Sequence, residues 1–325
     1  MIFCTFFDSN YLSRGLAMYD SLRRCLDDFH LYVFAFDRRC REILERMALP
    51  RLTVVPSEEL EDEDLLAVKP NRSRAEYLWT CTPSTILHVL RRCAVDHCTY
   101  LDADLYFFAS PEVLFREMGD RSILITSHRF SPPYRHLLPH GKYCVQYMTF
   151  KNDKRGLAAL TWWRQACLDW CYDRLEDGKF GDQKYLDDWP QRFAGVHELE
   201  HLGGGMAPWN VQQYRVFDDG GGLRGEETAT GRTFEVVFYH FHSLRFLRRR
   251  RVDLGFYRLS PEVQRRIYRP YLRRVVEIGE RIAERFPEVD PHGTVAASWK
   301  RSLFAVQRLL TGCYHVHPLD DFAGA

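Results

Sequence analysis

No run of apolar residues in this chain approaches the ~18 that a membrane-spanning helix needs, so no membrane span is expected. The N-terminal MIFCTFFDSNY has no basic head before its apolar stretch and meets Asp8 too early for a signal peptide. Ten cysteines are scattered from Cys4 to Cys313 without one CxxC pair. That pattern excludes a zinc ribbon and argues against a disulfide framework, so free thiols in a reducing cytoplasm are expected. Net charge is nearly absent at +1, which disfavours general nucleic-acid binding. No internal repeat is visible. The glycines at 203–205 open no helical pattern, so they are not a dinucleotide fingerprint.

What is present is ample core material, with 46% hydrophobic and 14% aromatic residues in 325 positions, enough for a large α/β domain with an appended piece. IFCTFF, LYVFAF and LTVV read as buried strands, separated by helical spacing from Tyr11 to Leu26 and through Ile43 and Met47. A helix over 75–95, the strand CTYLDADLYFF and the strand SILIT follow. Strands alternating with helices predict a mostly parallel, doubly wound sheet with helices on both faces. Residues 141–150 suggest a returning strand beneath a site, 153–177 a long helix, GVHELEHL a strand and DDGGGLRGEETATG a surface turn or hairpin tip. TFEVVFYHFH reads as one further buried strand. Beyond it, residues 245–274 carry eleven arginines against Asp253 and Glu262. We expect a catalytic domain over 1–245 and a basic, helical extension over 246–325 packed on it, helical through Phe286 and again to about Leu310.

Chemistry concentrates in five segments. Asp102 and Asp104 stand one residue apart at the end of an apolar strand, with Ala103 between them, where two carboxylates can share one hard divalent cation. Asp62 and Asp64 have the same spacing, but they lie in the acidic run ELEDEDLL and suit a solvated edge. TFFDSNYL ends the first strand, where ligands bind in open α/β sheets. Thr5 and Phe6 could meet a base there, and Asp8, Asn10 and Tyr11 could hydrogen-bond or stack on it; helix capping by Asp8 or Ser9 is the structural alternative. Asp182 and Gln183, in FGDQKYLDDWP, could grip sugar hydroxyls, or Asp182 could cap a helix. HLGGGMAPWN suggests a loop closing over a ligand. FYHFHSLRF ends a buried strand near His240 and His242, and His240 is the candidate third ligand for the carboxylate pair.

DSNYL, YLDADLYFF, GDQKYLDDW, APWN and HFHS, in that order over about residues 1–250, resemble the GT-A nucleotide-sugar glycosyltransferases. The nearest type is glycosyltransferase family 8, with its glycogenin and bacterial lipooligosaccharide galactosyltransferase members. The resemblance implies a Rossmann-like GT-A fold and a cytoplasmic enzyme that uses a UDP-sugar and Mn²⁺ (or Mg²⁺). Asp102, Asp104 and His240 would hold the metal, with Ala103 beside the nucleotide. Thr5, Phe6, Asp8, Asn10 and Tyr11 would line the nucleoside. Asp182 and Gln183 would serve catalysis at the donor sugar, with retention of configuration. The family motif H-F-x-G-x-x-K-P-W is only begun here, so Arg245 or Arg248 would replace its lysine on the diphosphate. A competing alignment starts at His201. Cys144-Val145-Gln146 stands where the family has an Asn-Ala-Gly or Asn-Val-Gly turn, so Gln146 would take over a sugar contact. These departures mark a divergent bacterial-type branch. The acceptor would be a glycan or a lipid-linked molecule, and the Arg-rich segment could touch anionic lipid at the inner membrane face.

Three other functions compete with this reading. An aspartyl-phosphate hydrolase needs Thr, Val or Gly after its second Asp, where this chain has Leu105 and Tyr106. A sugar-nucleotide nucleotidyltransferase expects a Gly-rich basic loop after the first strand, which FFDSNYLSRG lacks. A catalytically degenerate binding or scaffold protein is the non-enzymic alternative, and the intact Asp102–Asp104 pair speaks against it.

Overall fold

The computed structural model describes residues 1–296, 305 and 307–322. Its strands begin with β1 (Ile2–Phe7), β2 (His30–Ala35), β3 (Leu52–Pro56), β4 (His97–Leu101), β5 (Leu105–Phe107), β6 (Ile123–Ser127), β7 (Tyr143–Lys151) and β8 (Val196–Glu198). All but β5 form a seven-stranded sheet in the order β3-β2-β1-β4-β7-β6-β8. Neighbours are parallel except β7, which runs antiparallel to both β4 and β6. The mostly parallel α/β sheet is therefore as expected, with residues 143–151 as the returning strand.

Near-continuous apolar strands reflect burial on both faces. Along β1, Phe3 and Phe7 join one hydrophobic cluster while Cys4 joins the other, as the two-residue period of a strand requires. Leu12–Cys25 covers the first face, and Arg269–Arg285 packs against it. Arg74–Arg92 and Lys154–Asp169 cover the second. The Arg74–Arg92 helix starts where Ser73 and Glu76 form a capping box, each side chain bonding to the other's backbone N–H. One hydrophobic cluster runs from Phe3 and Leu16 through Phe241 to Val275 and Ile282, so residues beyond 245 share a core with the first strand. No helix among the described residues is long and apolar enough to cross a membrane.

Several elements differ from the sequence expectation, two of them where the chain changes sheets. The strand expected across 98–108 breaks at the carboxylate pair. Asp102 N–H still donates to Gln146 O at 3.0 Å, then Leu105 N–H closes a turn onto Asp102 O. A second sheet holds β9 (Tyr214–Asp218), β10 (Leu223–Glu227) and β11 (Thr233–Glu235), while β12 (Phe238–His240) pairs antiparallel with β5. TFEVVFYHFH is thus two strands, bent at Val236 and Val237, whose backbone N–H groups donate to Leu223 O and Gly203 O. The glycines at 220–222 form the tip of the β9–β10 hairpin, but Leu223–Glu227 of the expected surface turn is strand.

The helix expected over 153–177 stops at Asp169 and Trp170 turns extended. After Arg245 the expected helix is absent. β13 (Arg245–Leu247) and β14 (Arg251–Asp253) form a hairpin joined by β15 (Val316–Pro318), and helical backbone begins only at Pro261. Arg249 and Arg250 take positive φ at the hairpin tip, where their charges stay in water. Residues 307–310 are helical, and the rest of the last expected helix, 297–304 and 306, lies outside the described residues.

Candidate active site

Asp102 and Asp104 sit on the turn between β4 and β5, at the carboxyl edge of the sheet. The β5–β12 ribbon sets His240 opposite Leu105, and Phe241 N–H donates to Asp104 O at 3.0 Å. His240 Nε2 consequently lies 3.1 Å from Asp104 Oδ1 and 3.7 Å from Asp102 Oδ2. One donor atom from each of the three side chains falls within 4.8 Å of the others. His240 Nδ1–H donates to Gln146 Oε1 at 2.8 Å, which turns Nε2 toward the carboxylates, the arrangement found for metal-bound imidazoles. Two carboxylate oxygens and a neutral imidazole nitrogen make a donor set suited to Mn²⁺ or Mg²⁺.

The electrostatics fit a cation. Burial, with Asp104 as a like charge, pushes Asp102 up to about 6 against the pull of His240. Burial also acts upward on Asp104, but the His240 charge and hydrogen bond outweigh it and hold its carboxyl below the usual range. His240 is raised well above an ordinary histidine because Asp104 and Asp102 overcome its desolvation. Two mutually repelling carboxylates held together by a charged His240 form a site where a divalent cation would take the place of the imidazole proton.

The other expected residues fall into distinct settings. Thr5 is fully buried with its Oγ1 unpartnered, and Phe6 packs on Tyr100 and Phe36. Asp8 does cap the turn that follows, accepting from Asn10 N–H at 2.9 Å, and also takes Arg74 Nε–H at 2.8 Å. Tyr11 is 38% exposed at the same strand end. Asp182 is buried, and desolvation aided by the Asp102 charge lifts it to about 7. A carboxyl in that range can donate as well as accept a hydrogen bond to a hydroxyl. Gln183 Nε2–H donates to His140 O at 3.0 Å. Gln146 is completely buried, its amide oxygen engaged by His240 and its Nε2 unpartnered. Ala103 is buried between the carboxylates.

Two expectations change in the folded chain. The APWN segment is no mobile lid. Ala207, Trp209 and Asn210 are buried, Asn210 Nδ2 donates to His128 O and Gly205 O, and Trp209 stands edge-on to His240 at 5.3 Å. It packs as a wall behind the histidine. His201, the alternative ligand, instead accepts Gly203 N–H through Nδ1, and its backbone N–H donates to Glu117 Oε2 at 2.9 Å. Arg248 lies on the hairpin tip; Arg245 is exposed on β13.

Sequence reasoning passed over Arg14. Its guanidinium is buried, donates to His292 O at 2.8 Å, and lies over the rings of Tyr11 and Phe246 at 4.3 and 5.0 Å. Its charge also acts on Asp104. An arginine at helical spacing in a first helix gives no sign of burial, so only its tertiary contacts expose it.

A doubly wound sheet with a carboxylate pair at its edge and a histidine delivered from a distant ribbon defines a GT-A-fold protein. The fold matches that of the galactosyltransferase LgtC in complex with donor and acceptor sugar analogues, with TM-score 0.51, 12% identity, and coverage of 75% of this chain and 87% of that one. An active-site mutant of LgtC gives TM-score 0.50, 11% identity, and 75% and 88% coverage. By sequence the chain belongs to the family of the uncharacterized protein YfnD of Bacillus subtilis (strain 168), at 30% identity over 292 residues, 88% of this chain and 92% of that protein. YfnF of the same strain is 29% identical over 255 residues, covering 75% and 82%. No family model matches the chain.

Proposed function

We propose that the protein is a metal-dependent glycosyltransferase that moves a sugar from a UDP-sugar to a glycan or lipid-linked acceptor, with retention at the anomeric carbon. The observation that carries this reading is the Asp102–Asp104–His240 cluster at the carboxyl edge of a GT-A sheet. Asp102, Asp104 and His240 would hold Mn²⁺ or Mg²⁺, which when bound supplies Lewis-acid stabilisation of the departing diphosphate. Thr5, Phe6, Asp8, Asn10 and Tyr11 bind and orient the nucleoside. Asp182 and Gln183 hold the sugar hydroxyls beside the reacting carbon. Gln146 acts behind His240. The enzyme works in the cytoplasm, where the Arg-rich hairpin meets anionic lipid at the inner membrane face when the acceptor is lipid-linked.

The test is thermal stabilisation by UDP and by other nucleotides, each with and without Mn²⁺, in wild type and Asp104→Asn. A UDP shift that needs Mn²⁺ and disappears in the variant is expected, together with slow UDP-sugar hydrolysis reduced about 10²- to 10³-fold by the substitution. No shift with any nucleotide would sink the proposal in favour of a binding or scaffold protein.

A further inference from the structure

Beside the metal-binding cluster, but lined by none of its residues, lies a cavity of about 410 Å³ bounded by Ser243, Arg245, Asp253, Gly255, Phe256 and Arg308 with neighbours from 307–313. Its Gly255 wall abuts the segment that follows His240. A Cβ on Gly255 would stand 3.4 Å from Ser243 Cβ and 3.6 Å from His242 O, and the His242 ring is 5.7 Å from that of His240.

The walls have different characters. Arg308 is fully committed: its two terminal nitrogens donate to the Asp253 carboxylate at 2.8 and 2.6 Å, and its Nε to Cys313 O at 3.1 Å. Gly255 N–H also donates to Asp253 Oδ1 at 3.1 Å. That side is rigid and internally neutralised. Arg245, by contrast, makes no ion pair among the described residues, although it sits directly across the β-ladder from Asp253. Phe256 is 49% exposed, with one ring face stacked on Tyr257 at 4.5 Å and 25°.

An uncommitted guanidinium and an exposed aromatic face on one small cavity are the two elements that recognise an acidic sugar. The cation takes the carboxylate or phosphate, and the ring takes the apolar face of the pyranose. A donor diphosphate would reach the metal held by Asp102, Asp104 and His240, and none of those residues lines this cavity. We infer that the cavity is the acceptor subsite, taking a sugar that carries an anionic group, with Arg245 binding the charge and Phe256 the ring. This inference rests on the glycosyltransferase reading and assigns Arg245 to the acceptor rather than to the diphosphate.

The experiment titrates the full-length protein, with UDP and diamagnetic Mg²⁺ present to fill the donor site, against glucuronic acid, glucose 1-phosphate, inorganic phosphate and glucose by ligand-observed NMR. Wild type is compared with Arg245→Ala, Phe256→Ala and Asp104→Asn. Binding of one or both acidic sugars, weakened about tenfold or more by either cavity substitution and unmoved by Asp104→Asn, is expected. Which of the two sugars binds tells carboxylate from phosphate. Inorganic phosphate binding as well as the sugars, with Phe256→Ala silent, overturns the sugar platform. A wild type that binds UDP but whose acidic-sugar affinity ignores Arg245→Ala overturns the subsite and leaves the glycosyltransferase reading standing. Acidic-sugar binding through Arg245 without any UDP binding overturns the acceptor role.

Discussion

Gln146 and His240 share one hydrogen bond, and the metal binding proposed for the cluster should turn on it. With Gln146 Oε1 accepting from Nδ1, the imidazole presents Nε2 to both carboxylates. Gln146→Leu keeps the volume and removes the acceptor, so Mn²⁺ affinity measured by calorimetry should fall about 10- to 100-fold. The fold should persist, because the backbone bond from Asp102 N–H to Gln146 O is untouched. An unchanged affinity would mean that Trp209 alone orients the ring. Two other histidines should contribute to acid sensitivity. Burial holds His128 at about 3 and His292 at about 4, so both are uncharged in the folded protein near neutrality. Once unfolded they titrate near 6.5, so below that pH the unfolded chain binds more protons. Their contribution is full above about pH 6.5 and is lost progressively toward pH 4. His292→Gln, which can still reach Ser13 Oγ, should flatten the fall in melting temperature across that window.

At the scale of elements, the glycines before Trp209 are there for close approach. Gly205 has φ +101°, and a Cβ there would stand 2.7 Å from Thr126 Cγ2 and 3.2 Å from Gln146 Nε2. At Gly203 the added carbon would overlap Glu235 O. Gly205→Ala should therefore destabilise the protein by about 1–3 kcal/mol in urea unfolding and weaken Mn²⁺ binding through Gln146. A neutral result in both measurements would mean that the wall can yield. The same glycines suggested a closing loop because flexibility and close packing call for the same residue. Periodicity likewise identified strands at 98–108 and 233–242 without their breaks. Both breaks occur where the backbone switches hydrogen-bonding partners between sheets, and an apolar run looks the same on either side of such a switch.

For the whole molecule, the decisive packing joins the ends of the chain. Arg269–Arg285 lies against Leu12–Cys25, Arg274 pairs with Asp20, and Arg14 reaches His292 O and Leu244 O. Truncation after Arg245 would uncover Leu16 and its neighbours, which share a cluster with Val275 and Ile282. The truncated chain should lose cooperative unfolding and bind a hydrophobic dye; a sharp transition like that of the full chain would show that the first 245 residues fold alone.

The α/β class, the mostly parallel sheet and the carboxylate pair were determined by the sequence itself. Each rests on local pattern: strand and helix periods, and two aspartates closing an apolar run. His240 was preferable to His201 in the sequence, but only the β5–β12 pairing brings it to 3.1 Å from Asp104. The role of Gln146, the buried Arg14, the wall at Trp209 and the cavity beside Ser243 were decided by tertiary structure alone. Each depends on residues dozens to hundreds of positions apart meeting in space. Such contacts leave no period or spacing along the chain, because a side chain's burial and partners are set by what folds onto it.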